Sequence, residues 1–229
     1  MPETPPASRA VARRRLLVLV ALVTAPLALF TAVAEDVYEK EVFSWDSSVL
    51  RLAAEQRSGP LNASFAVVTQ LGSTPVMTAA AGLLMLYLAL RRRPRDTLFV
   101  GVAVGGAALL NVVVKDLFRR PRPDLFHPLA HAGGFAFPSG HTMSSMALAI
   151  AVIALTWHTR RRWPALAAAI VFALLVGVSR VYLGVHYPSD VVAGWALSLA
   201  LVLVAYAVLY GRTGHRGAPA RRARTPAQR

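Results

Sequence analysis

The chain has 229 residues and 25 Lys and Arg against 11 Asp and Glu, a formal charge of +14, with 55% hydrophobic residues and a mean hydropathy of +0.49. That composition excludes intrinsic disorder and argues against a soluble domain, whose core would be too large for the length. The absence of cysteine excludes a disulfide framework, a zinc ribbon and a thiol nucleophile, while the positive charge is open to nucleic acid, an anionic membrane surface or a phosphate-bearing substrate.

Six stretches lack Asp, Glu, Lys and Arg: 16–34, 74–90, 97–114, 142–157, 163–178 and 191–210. A bilayer core of about 30 Å takes roughly 20 helical residues, and these runs reach that length with their neutral flanks. Backbone in hydrocarbon must satisfy its own hydrogen bonds, so long apolar runs predict helices. The expectation is an all-α polytopic membrane protein with six transmembrane helices over 16–210. A soluble bundle of buried helices is the weaker alternative. Residues 1–15 form a basic N-terminal tail, and 211–229 form a disordered polybasic tail.

The first run follows a basic segment and ends in Ala32-Val33-Ala34, which resembles a signal-peptide cleavage site. It is long for a signal sequence, so an uncleaved anchor is expected. Between it and the second run, Trp45, Val49, Leu50, Leu52 and Ala53 fit an amphipathic helix on the membrane surface, broken at Ser58-Gly59-Pro60. An apolar piece from Phe65 to Leu71 leads into the second span at Gly72. With six spans, 17 of the 25 basic residues fall on one side, together with both termini. The positive-inside rule makes that side cytoplasmic. The charge is then an orientation signal, and no nucleic-acid partner is expected.

The opposite face holds an unusual polar set. Lys115 ends the third run, on its last helical turn, because Pro121 and Pro123 stop the helix and leave Arg122 in a loop. Pro138-Ser139-Gly140-His141 opens the fourth run: Ser139 is a good N-cap, and free first-turn N–H groups around Gly140 make an anion site. The fifth run ends at Ser179-Arg180. His186 and Asp190 lie four apart at the start of the sixth, a spacing that lets the carboxylate orient the imidazole. Each feature has a bland reading: a basic residue on a helix C-terminus, a capped helix, a Ser189 or Asp190 N-cap with an idle histidine. Together they put three cations, two histidines, a carboxylate and a helix N-terminus on one face, a set suited to phosphoryl transfer through a covalent intermediate.

The pattern Lys115 with Arg122-Pro123, then Pro138-Ser139-Gly140-His141, then Ser179-Arg180 with His186 and Asp190, resembles the type 2 phosphatidic acid phosphatase superfamily. Vanadium haloperoxidases and bacterial acid phosphatases also belong to it. The resemblance covers residues 97–210 and leaves out both tails. It implies that His186 is the nucleophile, that Asp190 holds its tautomer, and that His141 is first the general acid and then the base. It implies that Lys115, Arg122, Ser139, Gly140 and Arg180 hold the phosphate, and that no metal or other cofactor takes part. His127 and His131, four apart, are the one rival metal pair, and Pro128 places them in a loop rather than on a helix.

These residues would sit at the outer boundary of the bilayer, where a lipid phosphate can reach them with its tails in the membrane. The resemblance implies hydrolysis of phosphatidic acid, phosphatidylglycerol phosphate, diacylglycerol pyrophosphate or a polyprenyl diphosphate. Outer-face placement favours undecaprenyl diphosphate. The Arg- and Ala-rich composition fits a bacterial source. A lipid phosphotransferase would use the same phosphohistidine, a haloperoxidase would need vanadate, and a lipid transporter or binding protein would not need His141, His186 and Asp190 together. Oligomeric state is not readable. Gly101, Gly105 and Gly106 permit close helix packing, expected here within one chain.

Overall fold

Helices account for nearly all regular structure in the computed structural model, which describes residues 6–40 and 43–211 and has no strand among them. In chain order they are α1 (Pro6–Tyr38), α2 (Ser44–Glu55), α3 (Gly59–Leu71), α4 (Thr74–Leu90), α5 (Pro94–Phe118), α6 (Gly140–Thr156), α7 (Arg162–Tyr182) and α8 (Pro188–Tyr210). α1 starts inside the segment expected to be a basic tail. The basic C-terminal segment from 212 onward lies outside the described residues.

Four helices are long and apolar enough to cross a membrane: α1 over Leu17–Tyr38, α5, α7 and α8. α3 and α4 meet at a 46° bend and make a fifth if taken as one broken span. The bend follows from sequence: Gly72-Ser73 stops α3, and Pro75 starts α4 afresh. The apolar run that reads as a single span from 74 thus begins at α3. α6 is apolar but only 17 residues long, so length and composition give four or five spans where six were expected.

The core lies where α5, α6 and α8 cross, with α1 along α8 and α7 along α6. Phe99, Val100, Ala103 and Ala107 line one face of α5 at helical spacing and meet Met143, Ala147 and Ala151 of α6 and Ala193 and Leu197 of α8. α1 contributes Val33, Ala34 and Val37. The outward faces are just as apolar: Leu109, Val112 and Val113 of α5 and Ile170, Val171 and Leu174 of α7 are exposed. Patches of that extent suit lipid rather than water. α2 is the amphipathic piece, with Leu50 buried and Trp45, Val49 and Leu52 exposed.

Loops 91–93 and 157–161 lie at one end, where Tyr210 donates to Asp96 and Arg93 pairs with Asp96 at 2.5 Å. The C-termini of α5 and α7 and the N-termini of α6 and α8 meet at the other. Gly101 faces Met85 of α4 and Gly106 faces Leu201 of α8, so both pack within the chain, whereas nothing crowds Gly105.

α7 and α8 touch most closely at Gly177, where an added Cβ would lie 2.3 Å from Trp195 Cζ2. Gly177→Ala should therefore lower the thermal midpoint in detergent, by overpacking worth about 1–3 kcal/mol. Gly82→Ala, inside α4 with open space around it, should not lower it and should raise it slightly through helix propensity.

Candidate active site

Four helix ends and the loops that join them build the site. α5 carries Lys115 on its last turn and closes on Arg119, whose left-handed backbone (φ 47°) brings its N–H back to the Lys115 carbonyl at 3.0 Å. The proline-rich segment beyond carries Arg122 into a cage of carbonyls. Its Nε donates to Gly134 O at 3.1 Å, Nη2 to Gly133 O at 2.8 Å, and Nη1 to Val185 O at 2.7 Å. Lys115 Nζ donates to Phe135 O at 2.5 Å. Loop 133–135 is thus wrapped around two cations, and every partner is a neutral acceptor.

α6 begins at Gly140, with Ser139 as N-cap, as its sequence predicts. The Ser139 hydroxyl makes no capping bond and is fully buried with no hydrogen-bond partner. Gly140 is required sterically. A Cβ there would lie 2.9 Å from Asn111 Oδ1, and the same amide donates to Pro138 O at 3.0 Å, so α5 fixes the entry to α6. His141, half-buried on the first turn, lies within electrostatic reach of Arg180, His186, Lys115 and Arg122.

α7 runs two residues past Arg180, which is 3% exposed. Its Nη1 donates to Thr69 Oγ1 of α3 at 2.5 Å, and its Nε has no partner. Gly184, at φ +74°, turns the chain into Val185 and His186. The N-cap of α8 is Tyr187, not the Ser189 or Asp190 of the bland reading, and Pro188 occupies the first turn. Asp190, three residues on, accepts the Tyr187 N–H at 2.9 Å. Proline with its fixed φ at the start and a carboxylate near the positive helix end account for this choice.

The carboxylate of Asp190 also lies 3.3 Å from His186 Nδ1, and Arg122 Nη1 lies 3.2 Å from His186 Nε2. A carboxylate on one side and a guanidinium donor on the other define one tautomer: Nδ1 carries the proton and Nε2 keeps its lone pair. Burial pushes the His186 pKa well below the ordinary histidine value, and Arg180, Arg122 and Lys115 push it the same way. The imidazole is therefore neutral and directed.

Lys115, Arg122, Ser139, Gly140, His141, Arg180, His186 and Asp190 thus gather at one end of the bundle. His127 and His131 are exposed in the loop, and no group of three or more His, Asp or Glu that could hold a metal occurs among the described residues. Sequence reasoning missed four residues: Arg120, Asp46, Asn111 and Thr69. Arg120 is one basic residue among several between Lys115 and Arg122, and nothing local sets it apart. Asn111 is the sole amide in an apolar run, which is a signal for an interhelical hydrogen bond. Asp46 and Thr69 reach the site only through the tertiary fold.

A lowered pKa means that His186 takes its proton only well below pH 6.5. In ¹⁵N-histidine NMR its ring should still read as neutral at pH 6.5. Arg122→Gln removes a nearby cation, disfavours the imidazolium less, and should move the His186 titration upward.

The PAP2 superfamily model matches residues 96–213. Phosphatidylglycerophosphatase B of Bacillus subtilis (strain 168) is 34% identical over 178 residues, 75% of this chain and 87% of that protein. Undecaprenyl-diphosphatase BcrC of the same organism is 29% identical over 112 residues, and the match spans 47% of this chain and about half of that protein (54%). The crystal structure of a transmembrane PAP2 type phosphatidylglycerolphosphate phosphatase from Bacillus subtilis superposes with a TM-score of 0.78 at 29% identity, covering 86% of this chain and 100% of that one. In sequence and in fold, the chain belongs to the PAP2 superfamily.

Proposed function

We propose that the chain is an integral membrane phosphatase that hydrolyses lipid phosphates through a phosphohistidine on His186. The observation that carries this reading is the His186 environment: Nδ1 against Asp190, and Nε2 turned toward Arg122 among the uncompensated cations Lys115 and Arg180. A phosphate accepting the Arg122 hydrogen bond in place of Nε2 would come within reach of that lone pair. His186 Nε2 then attacks phosphorus, and the P–O bond to the lipid breaks as His141 gives its proton to the leaving oxygen. Asp190 stabilises the charged phosphoimidazole. His141 next takes a proton from water, water attacks phosphorus, the P–N bond breaks, and inorganic phosphate leaves. Lys115, Arg122 and Arg180, with the Ser139 hydroxyl and the Gly140 amide, hold the phosphate oxygens where charge builds up. None of these steps calls on a metal or other cofactor.

The proposed substrate is a membrane lipid ending in a phosphate or diphosphate, such as phosphatidic acid, phosphatidylglycerol phosphate or undecaprenyl diphosphate. The names of the two relatives fall in this class. We place the site on the outer face, with both termini cytoplasmic and six spans: α1, the α3–α4 pair, α5, α6, α7 and α8. Arg91, Arg92, Arg93, Arg160 and Arg161 lie in the loops at the end opposite the site, as the positive-inside rule asks. α6 spans once its flanking neutral residues are counted, and loop 119–139 covers the site above its start.

Phosphate release from detergent-solubilised phosphatidic acid and undecaprenyl diphosphate tests the reading. His186→Ala should lose on the order of 10³-fold or more in kcat, and unchanged release in that variant sinks the assignment. The nucleophile must be neutral and the acid protonated, and a bound phosphate offsets the cations around His141, so kcat should be bell-shaped in pH. The alkaline limb belongs to His141 and should disappear in His141→Gln; a limb that persists there removes His141 from the acid role.

A further inference from the structure

We infer that Arg120 and Asp46 form a positioning clamp on the Asp190–His186 pair. The inference rests on the site reading given above and adds two residues outside its phosphate-binding and catalytic set. Arg120 Nη1 donates to Asp190 Oδ1 at 2.6 Å and to Ser189 Oγ at 2.7 Å. Its Nη2 donates to Asp46 Oδ2 at 2.9 Å. Asp46, on the first turn of α2, also accepts from Ser189, at 2.8 Å from its N–H and 2.5 Å from its hydroxyl. Both carboxylates are buried, Asp46 at 1% exposure and Asp190 at 0%.

This geometry has a consequence for the dyad. Asp190 Oδ2 is shared between His186 Nδ1 and the Tyr187 N–H, while Oδ1 is held by Arg120. The carboxylate plane is therefore fixed from both sides, and with it the direction in which the His186 ring presents Nε2. The Tyr187 ring lies 4.1 Å from the Arg120 guanidinium carbon and closes the remaining face. Asp46 in turn locks Arg120 and the first turn of α8 to the surface helix α2.

Arg120 is not a further member of the phosphate cradle. Lys115 and Arg122 bond carbonyls, and Arg180 bonds a hydroxyl, so their charge stays available to an anion. Arg120 bonds two carboxylates and has its charge matched. It acts on substrate only through Asp190.

The test uses the purified full-length protein in detergent, with whichever of phosphatidic acid and undecaprenyl diphosphate the wild type turns over faster. Arg120→Gln should lower kcat per folded molecule by about 10²-fold, the scale of a slightly misplaced catalytic group. KM and the inhibition constant of inorganic phosphate should stay within about threefold, because the cradle is intact. Asp46→Asn, which keeps shape and loses charge, should lower kcat in the same way, and the double variant should be no slower than Arg120→Gln alone. Wild-type kcat in folded Arg120→Gln or Asp46→Asn overturns the clamp, as does a variant that lowers only the melting temperature. A matching loss of phosphate inhibition also overturns it and puts Arg120 in the cradle. If Arg120→Gln does not fold, Asp46→Asn and Ser189→Ala carry the test with the same readouts. His186→Ala is the control: loss there with Arg120→Gln unaffected sinks the clamp alone, whereas activity retained in His186→Ala sinks the site reading and the clamp with it.

Discussion

Asp190 has no exposed surface, and its carboxylate accepts from Arg120, from the Tyr187 backbone and from His186. A buried carboxylate is tolerated only when its oxygens are paired, because nothing else replaces the lost water. The pairing groups come from separate places: the segment after α5, the N-cap of α8 and the loop before it. Holding this one charge therefore fixes the relative position of α5 and α8. It also fixes α6, since Asp190 O accepts the Ser139 N–H at 3.1 Å. The site is a by-product of satisfying a group that the interior would otherwise reject.

The cations opposite Asp190 present the reverse problem. Lys115, Arg122 and Arg180 repel one another, and their fixed partners are carbonyls and a threonine hydroxyl. Donors already oriented by the backbone would stabilise the phosphate of the proposed reaction without reorganising, and Arg180 Nε and Ser139 Oγ are buried without a partner. Gly140 and Asn111 act on the same principle at the start of α6, where the glycine admits a neighbouring amide that sets the helix entry.

Local rules made the ends of α5, α6 and α8 legible. Proline after Arg120 stops one helix, Pro138-Ser139 opens another, and the four-residue spacing of His186 and Asp190 survives folding as a 3.3 Å contact. At the start of α8 competing local signals are close in strength. Ser189 and Asp190 are good caps, but Pro188 prefers the first turn and moves the cap to Tyr187. The run at 74–90 coincides with α4 and the break at Gly72 was legible, but apolar composition says nothing of the 46° bend by which α3 and α4 could make one span. Asp46, Thr69 and Arg120 were not readable as site residues at all. Their partners lie 74, 111 and 70 residues away, and no periodicity in the chain encodes such a pairing.

The charge balance of the assembled site shows why the long-range pairs matter to chemistry. Lys115, Arg122, Arg180 and Arg120 bring four positive charges, and Asp46 and Asp190 bring two negative ones. His186 is neutral and adds none. The excess is two, and three when His141 holds the proton that its proposed acid role requires, enough to match a phosphate monoester, which carries about −1.5 to −2 at neutral pH. Moreover, the excess is segregated: the matched charges gather around Arg120, behind Asp190, and the unmatched ones face His186 Nε2. Had Asp46 and Arg120 been apolar, the excess would be the same, but Asp190 would turn to the cradle cations for its second partner. Coulombic contact of Asp190 with Lys115 and Arg122 already exists. By occupying Asp190 Oδ1, Arg120 keeps that contact from becoming a salt bridge, and on the proposed function this leaves Lys115 and Arg122 free for the phosphate.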